Sequence, residues 1–96
     1  MQETINDIPV LIEKESIPNL KFNGPFSGKT DEKLHSKLKE ATTLGNLHRG
    51  KCSIVFQDNE GLKKVETTIW ATGAKYICLK GGVWLPIARI KEVKFL

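Results

Sequence analysis

From residue 51 onward the apolar segments are so short, and so closely spaced by turn signals, that only antiparallel strands fit. Residues 51–57 alternate Cys52, Ile54 and Phe56 against Ser53, Val55 and Gln57, and Asp58-Asn59-Glu60-Gly61 supplies a turn. A longer run over residues 63–72 sets Val65, Thr67, Ile69 and Ala71 in one phase against Glu66, Thr68 and Trp70 in the other. Gly73-Ala74 breaks it, residues 75–79 resume it, and Lys80-Gly81-Gly82 turns the chain into residues 83–87. Pro86 ends or edges that strand, and one tight turn around Ala88 and Arg89 leads into residues 90–96. Five short strands with one apolar phase each, too few residues for two sheets, close most economically into a small bent antiparallel barrel that hides its edges. The competing layout is an open meander with a helix across its face.

That helix lies upstream. Thr30 or Asp31 can cap its first N–H groups, Leu34, Leu38 and Ala41 recur at i, i+4 and i+7, and Gly45 marks the expected stop. The stripe is narrow, and Lys33, Lys37 and Lys39 occupy the other faces, as in a helix laid across a surface. Residues 1–29 differ from everything after them: they hold Pro9, Pro18 and Pro25, and Asn19, Asn23, Gly24, Ser27 and Gly28 interrupt each apolar cluster. They read as an irregular, partly mobile N-terminal arm. Its Val10, Leu11, Ile12, Leu20, Phe22 and Phe26 are nevertheless too many for a freely solvated tail. The expected division is therefore an arm over residues 1–29 and a mainly β domain, one α-helix plus a five-stranded barrel, over residues 30–96.

With 96 residues the chain holds one small domain. Such a domain buries only about 60–65% of its unfolded surface, which argues against a large enzyme with a deep internal cleft. The acidic start Met1-Gln2-Glu3-Thr4-Ile5-Asn6-Asp7 lacks the basic residues and apolar run of a secretory signal. No stretch approaches the ~18 apolar residues of a membrane span. Cys52 and Cys78 both fall in strand-like runs, where a thiol serves as a small hydrophobe rather than half of a disulfide scaffold. These features predict a cytoplasmic protein with no membrane partner.

The order of helix, five bent strands and a single turn between the last two resembles the Sm-like branch of the SH3-type barrels, which includes the bacterial Sm-like RNA chaperone. Glu66-Thr67-Thr68-Ile69-Trp70-Ala71-Thr72-Gly73-Ala74-Lys75-Tyr76-Ile77-Cys78-Leu79-Lys80 is similar to the family's second and third strands. Val83-Trp84-Leu85-Pro86-Ile87-Ala88-Arg89-Ile90-Lys91-Glu92-Val93 is similar to its last two. The match covers about half of the chain and is mostly apolar spacing. Where the family usually carries an Asp in the bend this chain has Ala74, and in place of the chaperone's Tyr-Lys-His-Ala turn it has Pro86-Ile87-Ala88-Arg89, which keeps a basic residue and loses the aromatic. The resemblance implies an SH3-like or Sm-like barrel and, less directly, RNA binding. The ending Leu-Lys-Gly-Gly-Val-x-Leu-Pro-Ile-x-Arg-Ile also resembles that of short bacterial proteins of unassigned function.

Chemistry-bearing patterns are sparse. Gly28-Lys29-Thr30 ends a loop and precedes a helix as a phosphate loop would, but the position six residues before Lys29 is Asn23 where the motif needs Gly. A capped helix start is the better account. His35, His48, Cys52 and Cys78 show no zinc spacing, so no metal or cofactor is expected. Cys52 alternates with Ile54 and Phe56, so burial should raise its pKa and silence it as a nucleophile. Asp58 and Glu60 read as solvated turn residues, and no enzyme is expected.

The tryptophans are more informative. Trp70 and Trp84 sit in the phase opposite Ile69, Val83, Leu85 and Ile87, which places both indoles outside if the apolar phase faces inward. The charge is also localised. Residues 1–29 hold three basic and four acidic side chains and residues 30–96 twelve and seven, while residues 75–96 carry Lys75, Lys80, Arg89, Lys91 and Lys94 against Glu92 alone. Trp70, Tyr76 and Trp84 with Lys75, Lys80 and Arg89 thus form a candidate face where bases stack while cations hold phosphates, as single-strand binders do. The alternatives are that helix or arm covers the indoles, or that they meet a protein partner or a second copy of the chain.

Overall fold

The computed structural model describes residues 8–22, 32–48 and 50–96; the phosphate-loop-like segment and the capping positions Thr30 and Asp31 lie outside these. Seven strands, β1 (Val10–Leu11), β2 (Cys52–Gln57), β3 (Leu62–Thr67), β4 (Ile69–Thr72), β5 (Tyr76–Leu79), β6 (Val83–Pro86) and β7 (Ile90–Phe95), accompany one helix, α1 (Glu32–His48). The strands form a four-stranded sheet ordered β1-β3-β2-β7 and a three-stranded sheet ordered β4-β5-β6.

This is a mainly β domain with one helix, as the alternation predicts, but it departs from the five-stranded closed barrel in two ways. The long run over residues 63–72 is two strands in two sheets, because the alternation fails at Thr68. Thr67, Thr68 and Ile69 are buried in succession, which a continuous strand with one solvated face does not allow. The other additional strand comes from the arm, where Val10 and Leu11 pair in parallel with Lys63 and Lys64 of β3. Between β6 and β7 a 3-10 turn, Ile87–Arg89, redirects the chain just after Pro86, which pairs with Tyr76 at a position that needs no N–H, the next bond to β5 coming from the Ile87 N–H to the Lys75 carbonyl at 2.9 Å. Among the described residues no strand ladder joins the two sheets into a closed ring.

The core lies between the sheets and under the helix. Ile54, Phe56, Val65, Ile90 and Val93 face it from the first sheet, and Ile69, Ile77, Leu79 and Leu85 from the second. Each fully buried side chain of this size contributes about 1.5–3 kcal/mol over its exposed state. Helix α1 seats Leu34, Leu38 and Ala41 on this core, the stripe the sequence predicts. It does not stop at Gly45. The helix runs on to His48, and Gly45 is buried so closely that a Cβ there would stand 2.8 Å from Thr68 Cγ2 and 3.1 Å from the Ile69 carbonyl oxygen. The glycine permits close approach of helix and sheet rather than ending the helix.

The described part of the arm, residues 8–22, packs against the domain. A 3-10 segment, Lys14–Asn19, places Ile17 in the core at 2% exposure. Farther along, Phe22 sets its ring 6.1 Å from that of Phe56, and the Arg89 guanidinium donates to the Phe22 carbonyl at 2.7 Å. The Ile12 N–H donates to the Lys64 carbonyl and the Asn59 N–H to the Lys21 carbonyl, both at 2.8 Å.

Candidate nucleic-acid interface

The second sheet carries the candidate face. Its ladder pairs Ile77 with Leu85 and Cys78 with Trp84, so Ile77 and Leu85 point into the core while Tyr76, Cys78, Trp84 and Pro86 form the outer side. Gly81 and Gly82, with φ of +90° and +86°, make the turn that holds β5 and β6 in this register. Trp84 is 58% exposed and Tyr76 49% exposed.

Trp70 reaches the outside by a different route. The β4–β5 register shifts between Ile69, opposite Leu79, and Ala71, opposite Cys78. This irregularity leaves Trp70 and Ala71 both exposed and returns Thr72, opposite Ile77, toward the helix. There the Thr72 hydroxyl lies 2.6 Å from that of Thr42 and donates to the Leu38 carbonyl at 3.2 Å. Ala71, expected in the inward phase, is outside for this reason. Trp70 is 47% exposed.

Among the described residues the aromatic candidates are divided between separate surface depressions. Trp70 and Lys80 line a hollow of about 320 Å³ with Gly45, Lys51 and Thr68. Tyr76 and Trp84 line a separate open groove with Pro18, Leu20, Phe22 and Pro86, and Lys21 is its one lining cation among the described residues. Lys75 stands exposed in the β4–β5 turn, whose backbone is closed by the Gly73 N–H donating to the Tyr76 carbonyl at 2.9 Å. Arg89 is partly buried and committed to the Phe22 carbonyl.

Lys51 is the residue that sequence reasoning missed. It precedes β2, far from Trp70 in the chain, and reaches the hollow because Thr68 ties the break between β3 and β4 to the entry of β2. The Thr68 hydroxyl donates to the Gly50 carbonyl at 3.0 Å, and the Lys80 N–H donates to the Thr68 carbonyl at 2.9 Å. Among the described residues neither Lys51 nor Lys80 makes an ion pair. Residues 67–91 contain no carboxylate at all.

The other chemistry-bearing residues have structural work. Cys52 is buried, and desolvation pushes its thiol up to about 11, the direction its place on the apolar face predicts. Cys78 is a second free thiol on the outer side of β5. Asp58 is not the solvated turn residue expected. It is 3% exposed, and its Oδ1 accepts from the Glu60 N–H at 2.9 Å, the Gly61 N–H at 3.0 Å and Lys63 Nζ at 3.2 Å. His35 Nε2 lies 3.1 Å from the Gly73 carbonyl oxygen, linking helix α1 to the β4–β5 turn. Among the described residues no three of the His, Cys, Asp and Glu side chains gather as a metal site would require. No described helix is long and apolar enough to cross a membrane.

Comparison with protein-family models, with curated proteins and with solved structures finds no match for this chain.

Proposed function

We propose that this protein is a small, non-enzymatic binding module that takes single-stranded nucleic acid, RNA foremost, on the outer aromatic and cationic side chains of its second sheet. The observation that carries the reading is the coincidence of three half-exposed aromatics, Trp70, Tyr76 and Trp84, with a stretch over residues 67–91 that has cations and no carboxylate. Aromatic faces stack bases whatever their sequence, and lysines nearby neutralise phosphates.

Kinship with the Sm-like, SH3-type barrels belongs to the same proposal. It is supported by a helix ahead of β2–β7, by a strand run that crosses from one sheet to the other at Thr68, and by a single 3-10 turn between the last two strands. The open ring and the parallel pairing of β1 are this chain's departures from that plan. A cytoplasmic location is part of the proposal, supported by two cysteines that are both free.

The test is fluorescence anisotropy of a labelled hexaribonucleotide titrated with the full chain. Binding at low salt that weakens steeply as salt rises is the expected result. No binding at low salt, or binding indifferent to salt, overturns the reading.

The competing reading, a self-association module, has one feature in its favour. The groove of Pro18, Leu20, Phe22, Tyr76, Trp84 and Pro86 is lined chiefly by apolar side chains, and β6 beside it is an outer strand of its sheet. It predicts a mass above one chain in light scattering that falls to one chain in Trp84→Ala, and a monomeric unaltered protein excludes it.

A further inference from the structure

The two aromatic depressions differ in chemistry, and the difference selects one of them. Resting on the single-strand reading above, we infer that the hollow lined by Lys51, Trp70 and Lys80 is the principal subsite and holds one nucleotide of the strand, its base on the Trp70 indole and its phosphates against the two lysines.

The lining carries this. Among the described residues both lysines are without an ion pair and no carboxylate lines the hollow, so an incoming phosphate displaces no partner there. Among the described residues the groove by Trp84 offers Lys21 alone against two prolines and several apolar side chains, and the nearby Arg89 already serves the arm. A volume of about 320 Å³ stands at the small end of the ~300–1,000 Å³ range of small-ligand sites, which suits one base with its backbone and not a stack of several. The floor is formed by Gly45 and Thr68. Gly45 presents no side chain, and the Thr68 hydroxyl has spent its proton on the Gly50 carbonyl, leaving only an acceptor. Few groups remain to read a base edge, so the subsite tolerates any base.

Two single-tryptophan proteins separate this inference from the reading it rests on. Trp84→Phe leaves Trp70 as the only indole, and Trp70→Phe leaves Trp84. Each is titrated at low salt with hexa-adenylate, hexa-uridylate and AMP, while anisotropy of labelled hexa-adenylate records binding independently of either indole. Both hexamers should quench Trp70 strongly and Trp84 weakly, with AMP binding at least tenfold more weakly than hexa-adenylate. Lys51→Ala and Lys80→Ala, changes at exposed side chains in the otherwise unaltered chain, should each weaken hexamer binding several-fold. Each should also lower the slope of log K against log salt by about 0.7, the value of one phosphate contact on a single strand.

If the hexamers bind but quench Trp84 alone, and Lys51→Ala binds as the unaltered protein does, the subsite is elsewhere and the nucleic-acid reading stands. If AMP binds as tightly as hexa-adenylate, the hollow serves free nucleotides and the inference falls. If anisotropy shows no hexamer binding to the unaltered protein, both fall together.

Discussion

Asp58 shows how much one side chain organises. Its Oδ1 gathers two backbone N–H groups and the Lys63 ammonium inside the β2–β3 turn, so replacing it by Ala leaves the turn amides without that acceptor and Lys63 without its buried partner, with the exposed Glu60 carboxylate at 3.7 Å remaining. Asp58→Ala should lower stability by about 1–3 kcal/mol in a urea denaturation series, and Asp58→Asn, which retains the amide oxygen, by less. An Ala variant as stable as the unaltered protein would contradict this assignment. Cys52 gives a pH dependence of definite sign. In the folded chain its thiol keeps its proton to about pH 11, against an ordinary value of 9.0. Below pH 9 both states hold the proton and the stability is intact. As pH rises from 9 to 11 the unfolded state releases its proton first, and stability falls by an amount on the order of 2 kcal/mol. Cys52→Ala should flatten the slope of stability against pH in that window, and parallel slopes in the two proteins would refute the assignment. A thiol reagent at pH 8 should label Cys78 well before Cys52.

At the scale of elements, the break at Thr68 and the passage of α1 through Gly45 depend on each other. Burial of Thr68 is what a strand changing sheets requires, and the absent Gly45 side chain lets the helix come down on it. Gly45→Ala improves helix propensity by roughly 1 kcal/mol but forces an overpacked contact costing about 1–3 kcal/mol. The expected net is a loss of about 1 kcal/mol in thermal or denaturant unfolding, together with altered Trp70 emission because the floor of the hollow moves. A stabilised variant with unchanged emission would show that the helix shifts freely. The helix stripe and the strand positions were legible because buried faces impose periods of 3.6 and 2 on the sequence. The break was not legible: Thr68 and the Trp70–Ala71 irregularity obey neither period, and a threonine is equally at home on an inner or outer face. Simple alternation puts Trp70 outside, and the chain reaches that same exposure through a register shift.

Across the whole molecule the arm contributes Ile17 to the core and packs Ile12, Leu20 and Phe22 against it. Ile17 joins the one buried cluster that both sheets and the helix share, on a segment packed against β6 and β3. Ile17→Ala should therefore lower the stability of the entire cooperative transition by about 2–4 kcal/mol, measured by tryptophan emission and far-ultraviolet circular dichroism together. A tail packed only on itself would leave that transition unmoved. The same long-range placement assembles the candidate site, since Lys51, Trp70 and Lys80 come from the entry of β2, from β4 and from the end of β5. Only two of those three were recognisable by their neighbours in the chain.

The sequence by itself determined a mainly β domain behind one helix, the apolar faces of nearly every element, the burial of Cys52 and the exposure of both tryptophans. Each of these follows from local periodicity and turn chemistry, which act over a few residues. Tertiary structure alone decided that the strands form two sheets rather than a closed barrel, that Gly45 is a contact and Asp58 a buried acceptor, and that Lys51 joins Trp70. Those outcomes depend on how closely elements distant in the chain approach one another, and that distance is set by packing.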